Sequence, residues 1–207
     1  MYLTRLRLEP RSAQARRDLS DAYQMHKTLA RAFVADEHSR PERFLWRLEA
    51  SGHDWSSPVV LVQSSAAANW QPLIELPQYL KADPETKAVR PDQLVQAQAD
   101  YRFRLLANPT MTHDGKRRGL AAEDEQLAWL SRQGEKHGFD IKAALVSATD
   151  LARMRKDSQS MQIMQIRRAC FEGVLHVRQP QSLIEALGAG IGPAKAFGCG
   201  LLSLARC

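Results

Sequence analysis

The sequence predicts an α+β protein made of two tandem ferredoxin-like (βαββαβ, RRM-like) domains. Three observations predict it. Short stretches alternate apolar with polar residues, segments of helical spacing lie between them, and the theme comes twice within 207 residues. A chain of that length fits one large or two small domains with a real core.

Tyr2 to Leu8 sets Tyr2, Leu6 and Leu8 against Arg5 and Arg7, the period-two signature of a half-buried strand. From Asp21, Met25, Leu29, Ala32 and Phe33 recur at helical spacing, with Ser20 and Asp21 as cap residues, predicting one helix of roughly fifteen residues. Phe44, Trp46 and Leu48 alternate with Arg43, Arg47 and Glu49, and Val59 to Val62 follows as a third strand. Ala66 to Leu80 is weakly helical, Ala82 to Ala99 reads as a loop-rich linker, and Tyr101, Phe103 and Leu105 alternate with Arg102 and Arg104. These elements complete the first βαββαβ set, so the boundary is placed at Asn108-Pro109, with domains at 1–107 and 108–207. In the second half, Glu123 to Lys136 is helical, Met161 to Ile166 and Cys170 to Val177 are neighbouring strands, Leu183 to Leu187 is a short helix, and Leu201 to Leu204 a last strand.

Composition narrows the class. No apolar stretch approaches the roughly 18 residues of a membrane span, so no membrane partner and a cytoplasmic location are expected. Cys170, Cys199 and Cys207 have no CxxC spacing, and the histidines have no mutual ligand spacing, so neither a zinc site nor any other metal or cofactor is expected. The 29 Lys+Arg against 23 Asp+Glu give a net charge of +6, which suits a polyanionic partner. The basic residues cluster, notably at Lys116 to Arg118, Arg153 to Lys156 and Arg167 to Arg168.

Glycine concentrates in GAGIGPAKAFGCGLLS at Gly188 to Ser203. Glycines let successive amides converge on a phosphate or a neighbouring chain, and Lys195 adds charge, so Gly192, Lys195, Gly198 and Gly200 are candidate binding positions; the alternative is an ordinary glycine-rich turn. A dinucleotide site is disfavoured because a helix precedes the glycines and a strand follows them.

Tyr23 and His26 stand three apart, so they neighbour each other on the helix, and both are expected to avoid its apolar stripe. A histidine facing solvent or a cleft, with an ordinary pKa of about 6.5, can move protons at neutral pH. Lys27 and Arg31 extend a basic face beside it.

YLTRLRL at Tyr2 to Leu8, YQMHKTL at Tyr23 to Leu29, FRLLANP at Phe103 to Pro109, CFEGVL at Cys170 to Leu175 and GIGPAKAFGCGLLSLA at Gly190 to Ala205 are similar to the corresponding segments of CasE proteins. The resemblance implies two ferredoxin-like domains, metal-independent cleavage of CRISPR precursor RNA at the base of the repeat hairpin, and retention of the mature guide RNA beside other Cascade subunits. RNA can supply its own 2′-hydroxyl as nucleophile, leaving a 2′,3′-cyclic phosphate and a 5′-hydroxyl. His26 and Tyr23 are the expected proton-transfer pair, with either order of roles open. Lys156, Arg155 or Arg153 would supply positive charge, and Arg153 and Arg155 would also grip the RNA stem. The main alternative is a non-catalytic RNA-hairpin-binding module, against which stands the lack of an aromatic-rich central-strand motif.

Overall fold

Alternation along the first strand decides the first layer: Thr4, Leu6 and Leu8 are buried, while Arg5 is exposed on the other face. In this computed structural model the described residues are 1–34, 41–49, 56–155 and 163–207. They divide into two units, Met1–Val89 with Arg153–Met164 and Ala196–Gly198, and Arg90–Ala152 with Gln165–Lys195 and Cys199–Cys207.

The first unit runs β1 (Tyr2–Arg7), α1 (Ala13–Ser20), α2 (Ala22–Ala30) with a 3-10 turn at Arg31–Phe33, β2 (Phe44–Glu49), β3 (Val59–Ser64), α3 (Gln71–Ile74) and β4 (Glu85–Ala88). Its sheet has the order β2-β3-β1-β4 with antiparallel neighbours, in the register Arg5↔Leu61 and Arg5↔Glu85. Leu6, Leu8, Met25, Leu29, Val60 and Leu73 fill the core at 1% exposure or less. Each such side chain contributes roughly 1.5–3 kcal/mol by leaving water.

The helix expected from Asp21 onward is shorter, and a second helix, α1, precedes it. Asp21 sits in extended backbone (φ −137°, ψ 110°), which ends α1, and its carboxylate accepts from the amides of Tyr23 and Gln24, which starts α2. The two helices are tied through Gln14, whose amide donates to the Thr28 hydroxyl at 3.2 Å and to the buried carboxylate of Asp18, 1% exposed, which also accepts from the Tyr79 hydroxyl at 2.9 Å and pairs with Arg17. Those partners offset the cost of burying the charge. Burial and the adjacent Asp18 charge in turn push the Tyr79 phenol up.

The second unit continues with α4 (Pro91–Leu94), β5 (Asp100–Ala107), β6 (Thr110–His113), β7 (Lys116–Gly119), α5 (Glu123–His137), β8 (Phe139–Arg155), β9 (Ile163–Val177), α6 (Pro180–Ala189) and β10 (Leu202–Arg206). The sheet order β10-β5-β9-β8 repeats that of the first sheet, and β6 and β7 form a separate two-stranded ribbon. Phe103, Leu105, Phe171, Leu175, Trp129 and Leu183 build its core. At Gly173 the strands come so close that an added Cβ would stand 2.0 Å from the Ala143 carbonyl oxygen.

The two ferredoxin-like sets are present, but they share out the strands differently from the sequence reading. The strand at Asp100–Ala107 pairs with β9 and β10, in the second sheet. The first sheet closes instead with β4, inside the segment expected to be a linker, and the division falls after Val89 rather than at Asn108-Pro109. Alternation identifies a strand without naming its partner, and β4 (Glu85–Ala88) is exposed throughout, so it carries no apolar signal. The strands expected around Met161–Ile166 and Cys170–Val177 are one strand from Ile163 onward. Among the described residues no helix is long and apolar enough to cross a membrane.

Candidate functional site

Helix α2 turns Met25 and Leu29 into the core, and His26 stands three residues before Leu29 and seven before Phe33 of the following 3-10 turn, on the same flank. His26 is therefore half-buried, beside the apolar stripe it was expected to avoid and not in open solvent. Its ring stacks on Phe44 of β2 at 4.9 Å between centroids and 18° between planes, and Phe44 stacks in turn on Phe33 at 4.4 Å. Nδ1 is buried and has no hydrogen-bond partner among the described residues. Desolvation lowers the pKa of His26 below 6.5, which keeps the imidazole neutral at physiological pH. Tyr23 lies one turn earlier, with the Lys27 ammonium 5.8 Å from its ring centroid; Lys27 and Arg31 are exposed.

Two residues beyond Phe44 on the same face of β2, Trp46 supports the glycine-rich loop. Its indole Nε1 donates to the Ala196 carbonyl at 3.3 Å. Gly198, at φ +79°, lies so close that a Cβ would meet the Trp46 ring at 3.1 Å. One face of one strand thus carries both the histidine, through Phe44, and the segment Ala196–Gly198, through Trp46. Gly192 is packed on Trp129 in the same manner, with 3.0 Å to an added Cβ.

The loop's amides are less open than the glycine count suggests. Gly200 donates to the Leu106 carbonyl at 2.7 Å and accepts from Ile191 at 2.9 Å, so its amide is committed within the protein and Gly200 shapes the loop. Lys195, half-buried, contributes positive charge that lowers the pKa of His137, after desolvation and together with Lys136. Arg153 and Arg155 fall at the end of β8, and Lys156 lies outside the described residues. Among the described residues there is no group of three or more His, Cys, Asp or Glu able to hold a metal ion.

Sequence reasoning missed the supports. Phe44 and Trp46 were legible as core, as they are, but nothing in their alternation says that they carry a histidine and a loop. Also missed was the pairing of Arg168 with both oxygens of Asp150, at 2.8 and 2.6 Å, beside the buried thiol of Cys199, whose pKa burial pushes up to about 12. The basic ribbon β6–β7 did have a signal, Asp114-Gly115 between its strands.

Comparison with known proteins follows the same outline. A family model described as a CRISPR associated protein matches residues 1–206. The chain is 38% identical over 217 residues to the CRISPR-associated endoribonuclease Cse3 of Thermus thermophilus, covering 99% of this chain and 100% of that one. It is 39% identical over 116 residues to the CRISPR system Cascade subunit CasE of Escherichia coli, covering 50% of this chain and 56% of the relative. A solved structure of CRISPR endoribonuclease Cse3 bound to a 19-nucleotide RNA superposes with a TM-score of 0.88 at 34% identity, over 100% of both chains.

Proposed function

The chain belongs to the CasE-type family of CRISPR-associated proteins, and from that membership we propose that it is a metal-independent endoribonuclease cutting CRISPR precursor RNA at the base of the repeat hairpin. The observation that carries the proposal is His26. It is a half-buried imidazole with a lowered pKa, held by ring stacking on the strand face that also seats Ala196–Gly198.

The 2′-hydroxyl next to the scissile bond attacks phosphorus, the P–O5′ bond breaks, and the products are a 2′,3′-cyclic phosphate and a 5′-hydroxyl. A neutral imidazole is suited to take the 2′-hydroxyl proton, so His26 acts as the general base through Nε2. The departing 5′-oxygen takes its proton from Tyr23 or from the His26 imidazolium so formed, and Tyr23 also hydrogen-bonds near the phosphate. A cation from Arg153, Arg155 or Lys156 offsets charge developing on the phosphoryl oxygens. Lys27 and Arg31 meet the RNA along the helix, while Lys195 and the loop shaped by Gly192, Gly198 and Gly200 hold the stem. Because those contacts lie on the hairpin, the cut product stays bound, and the protein keeps the mature guide RNA as a partner of other Cascade subunits.

The test is end-labelled repeat RNA incubated with the protein in EDTA. The expected result is a single cut at the stem base with cyclic-phosphate and hydroxyl ends. Binding without cleavage would leave a hairpin-binding module, and cleavage that needs added magnesium would overturn the mechanism.

A further inference from the structure

The ribbon β6–β7 is a structural oddity. Residues 111–119 are all exposed, so it buries almost nothing of its own, and an isolated two-stranded hairpin has little intrinsic stability. It is nevertheless well made. Asp114 (φ +49°) and Gly115 (φ +71°) form a two-residue turn, and the register runs His113↔Lys116, Thr112↔Arg117, Met111↔Arg118. Its root is fixed: Leu120 is buried and donates to the Pro109 carbonyl at 2.9 Å, Asn108 donates to the Arg167 carbonyl at 2.6 Å, and Gly119 lies against Arg167, where a Cβ would stand 3.1 Å from the arginine's own.

What the ribbon presents is charge. Lys116, Arg117 and Arg118 are consecutive, exposed, and without ion-pair or hydrogen-bond partners among the described residues. Neighbouring like charges repel, so their placement does not serve the ribbon's own stability. Alternation spreads them over both faces: Lys116 and Arg118 share one with Met111 and His113, and Arg117 shares the other with Thr112 and Gly119, the glycine that touches Arg167. The ribbon has no Phe, Tyr or Trp, and Met111, 46% exposed, is its only large apolar side chain. A protein interface would call for aromatic or aliphatic anchors. Cations on both faces, with no stacking surface, suit a phosphodiester backbone instead of base edges.

We infer that β6–β7 is an additional RNA-binding element that holds the phosphate backbone of the substrate through Lys116, Arg117 and Arg118. This rests on the ribonuclease reading above. Its test is the dissociation constant of repeat hairpin RNA, blocked by a 2′-deoxy nucleotide at the cut position, measured across a salt series. Wild type is compared with K116A/R117A/R118A and with R117K/R118K, all checked for an unchanged unfolding midpoint. The alanine variant is expected to bind at least about tenfold more weakly at low salt, with a log Kd against log salt slope reduced by about 2, roughly 0.7–0.9 for each phosphate that is no longer neutralised. The lysine variant keeps the wild-type slope, because phosphates need charge and not the guanidinium fork. An unchanged slope in the alanine variant overturns the inference while leaving the nuclease reading intact. Equal losses in the lysine and alanine variants overturn the backbone assignment. Wild-type protein that neither binds nor cuts repeat RNA sinks both readings.

Discussion

The two sheets have the same strand order and opposite emphasis. In the first, the strands at the β2–β3 hairpin are six residues each and the edge strand β4 is four. The special side chain there, His26, sits on a helix leaning over the sheet. In the second, the equivalent hairpin strands β8 and β9 are 17 and 15 residues long, an extra ribbon is inserted after β5, and a glycine-rich loop precedes β10. Duplicating one topology leaves each copy free to specialise. On the proposed reading, the helix-borne group would serve proton transfer, while the long hairpin and the loop would hold RNA.

Substitutions break that comparison in graded steps. Gly173→Ala puts a methyl group where the Ala143 carbonyl oxygen already stands, at 2.0 Å, so the β8–β9 pair has to separate. We expect about 3 kcal/mol of lost stability, the upper end of ordinary overpacking, read as a lowered urea midpoint. A midpoint within error of wild type would mean that the close approach is not maintained in solution. His26→Ala strikes the other half. Cleavage should fall by at least about 100-fold, roughly 2.7 kcal/mol, with hairpin affinity nearly unchanged. Normal cutting by this variant would remove His26 from the chemistry.

The smallest effect is in pH, and it sharpens the base assignment. His26 is held below its ordinary pKa by desolvation, so its neutral, proton-accepting form persists to lower pH. The single-turnover rate attributable to His26 should be level at pH 7 and fall only once the pH drops below about 6.5, by up to tenfold per unit. Stability follows the same direction. The unfolded chain takes up the His26 proton from about pH 6.5 downward while the folded chain resists it, so the contribution is full above that value and declines as the pH falls toward the lowered pKa. A rate that increases on acidification would point to His26 as the acid.

Much of this was legible in residue patterns, for physical reasons that differ by element. Half-buried strands such as β1 and β5 announce themselves by alternation, and α5 by its length and its acidic first turn, Glu123 to Glu125. The carboxylate of Asp21 marked the start of α2 correctly. Strand pairing was not legible, because β4 shows no apolar residue pattern and β5 shows one that fits either sheet. Of the site, Tyr23, His26 and the glycine loop were visible as residue types. The burial of His26 was not, since it depends on Phe44, which lies far along the chain. Nor could counting glycines reveal that the Gly200 amide is already committed to Leu106.

The seating of the loop on tryptophan has an optical consequence. Of the four tryptophans, Trp46 lies with its indole nitrogen on the Ala196 carbonyl and its benzo edge against Gly198, and Trp129 lies against Gly192. Indole emission responds to the polarity and hydrogen bonding around the ring. The protein therefore carries a built-in fluorophore against each of these two glycines, and a ligand that shifts either glycine from its indole will alter emission without a dye being attached.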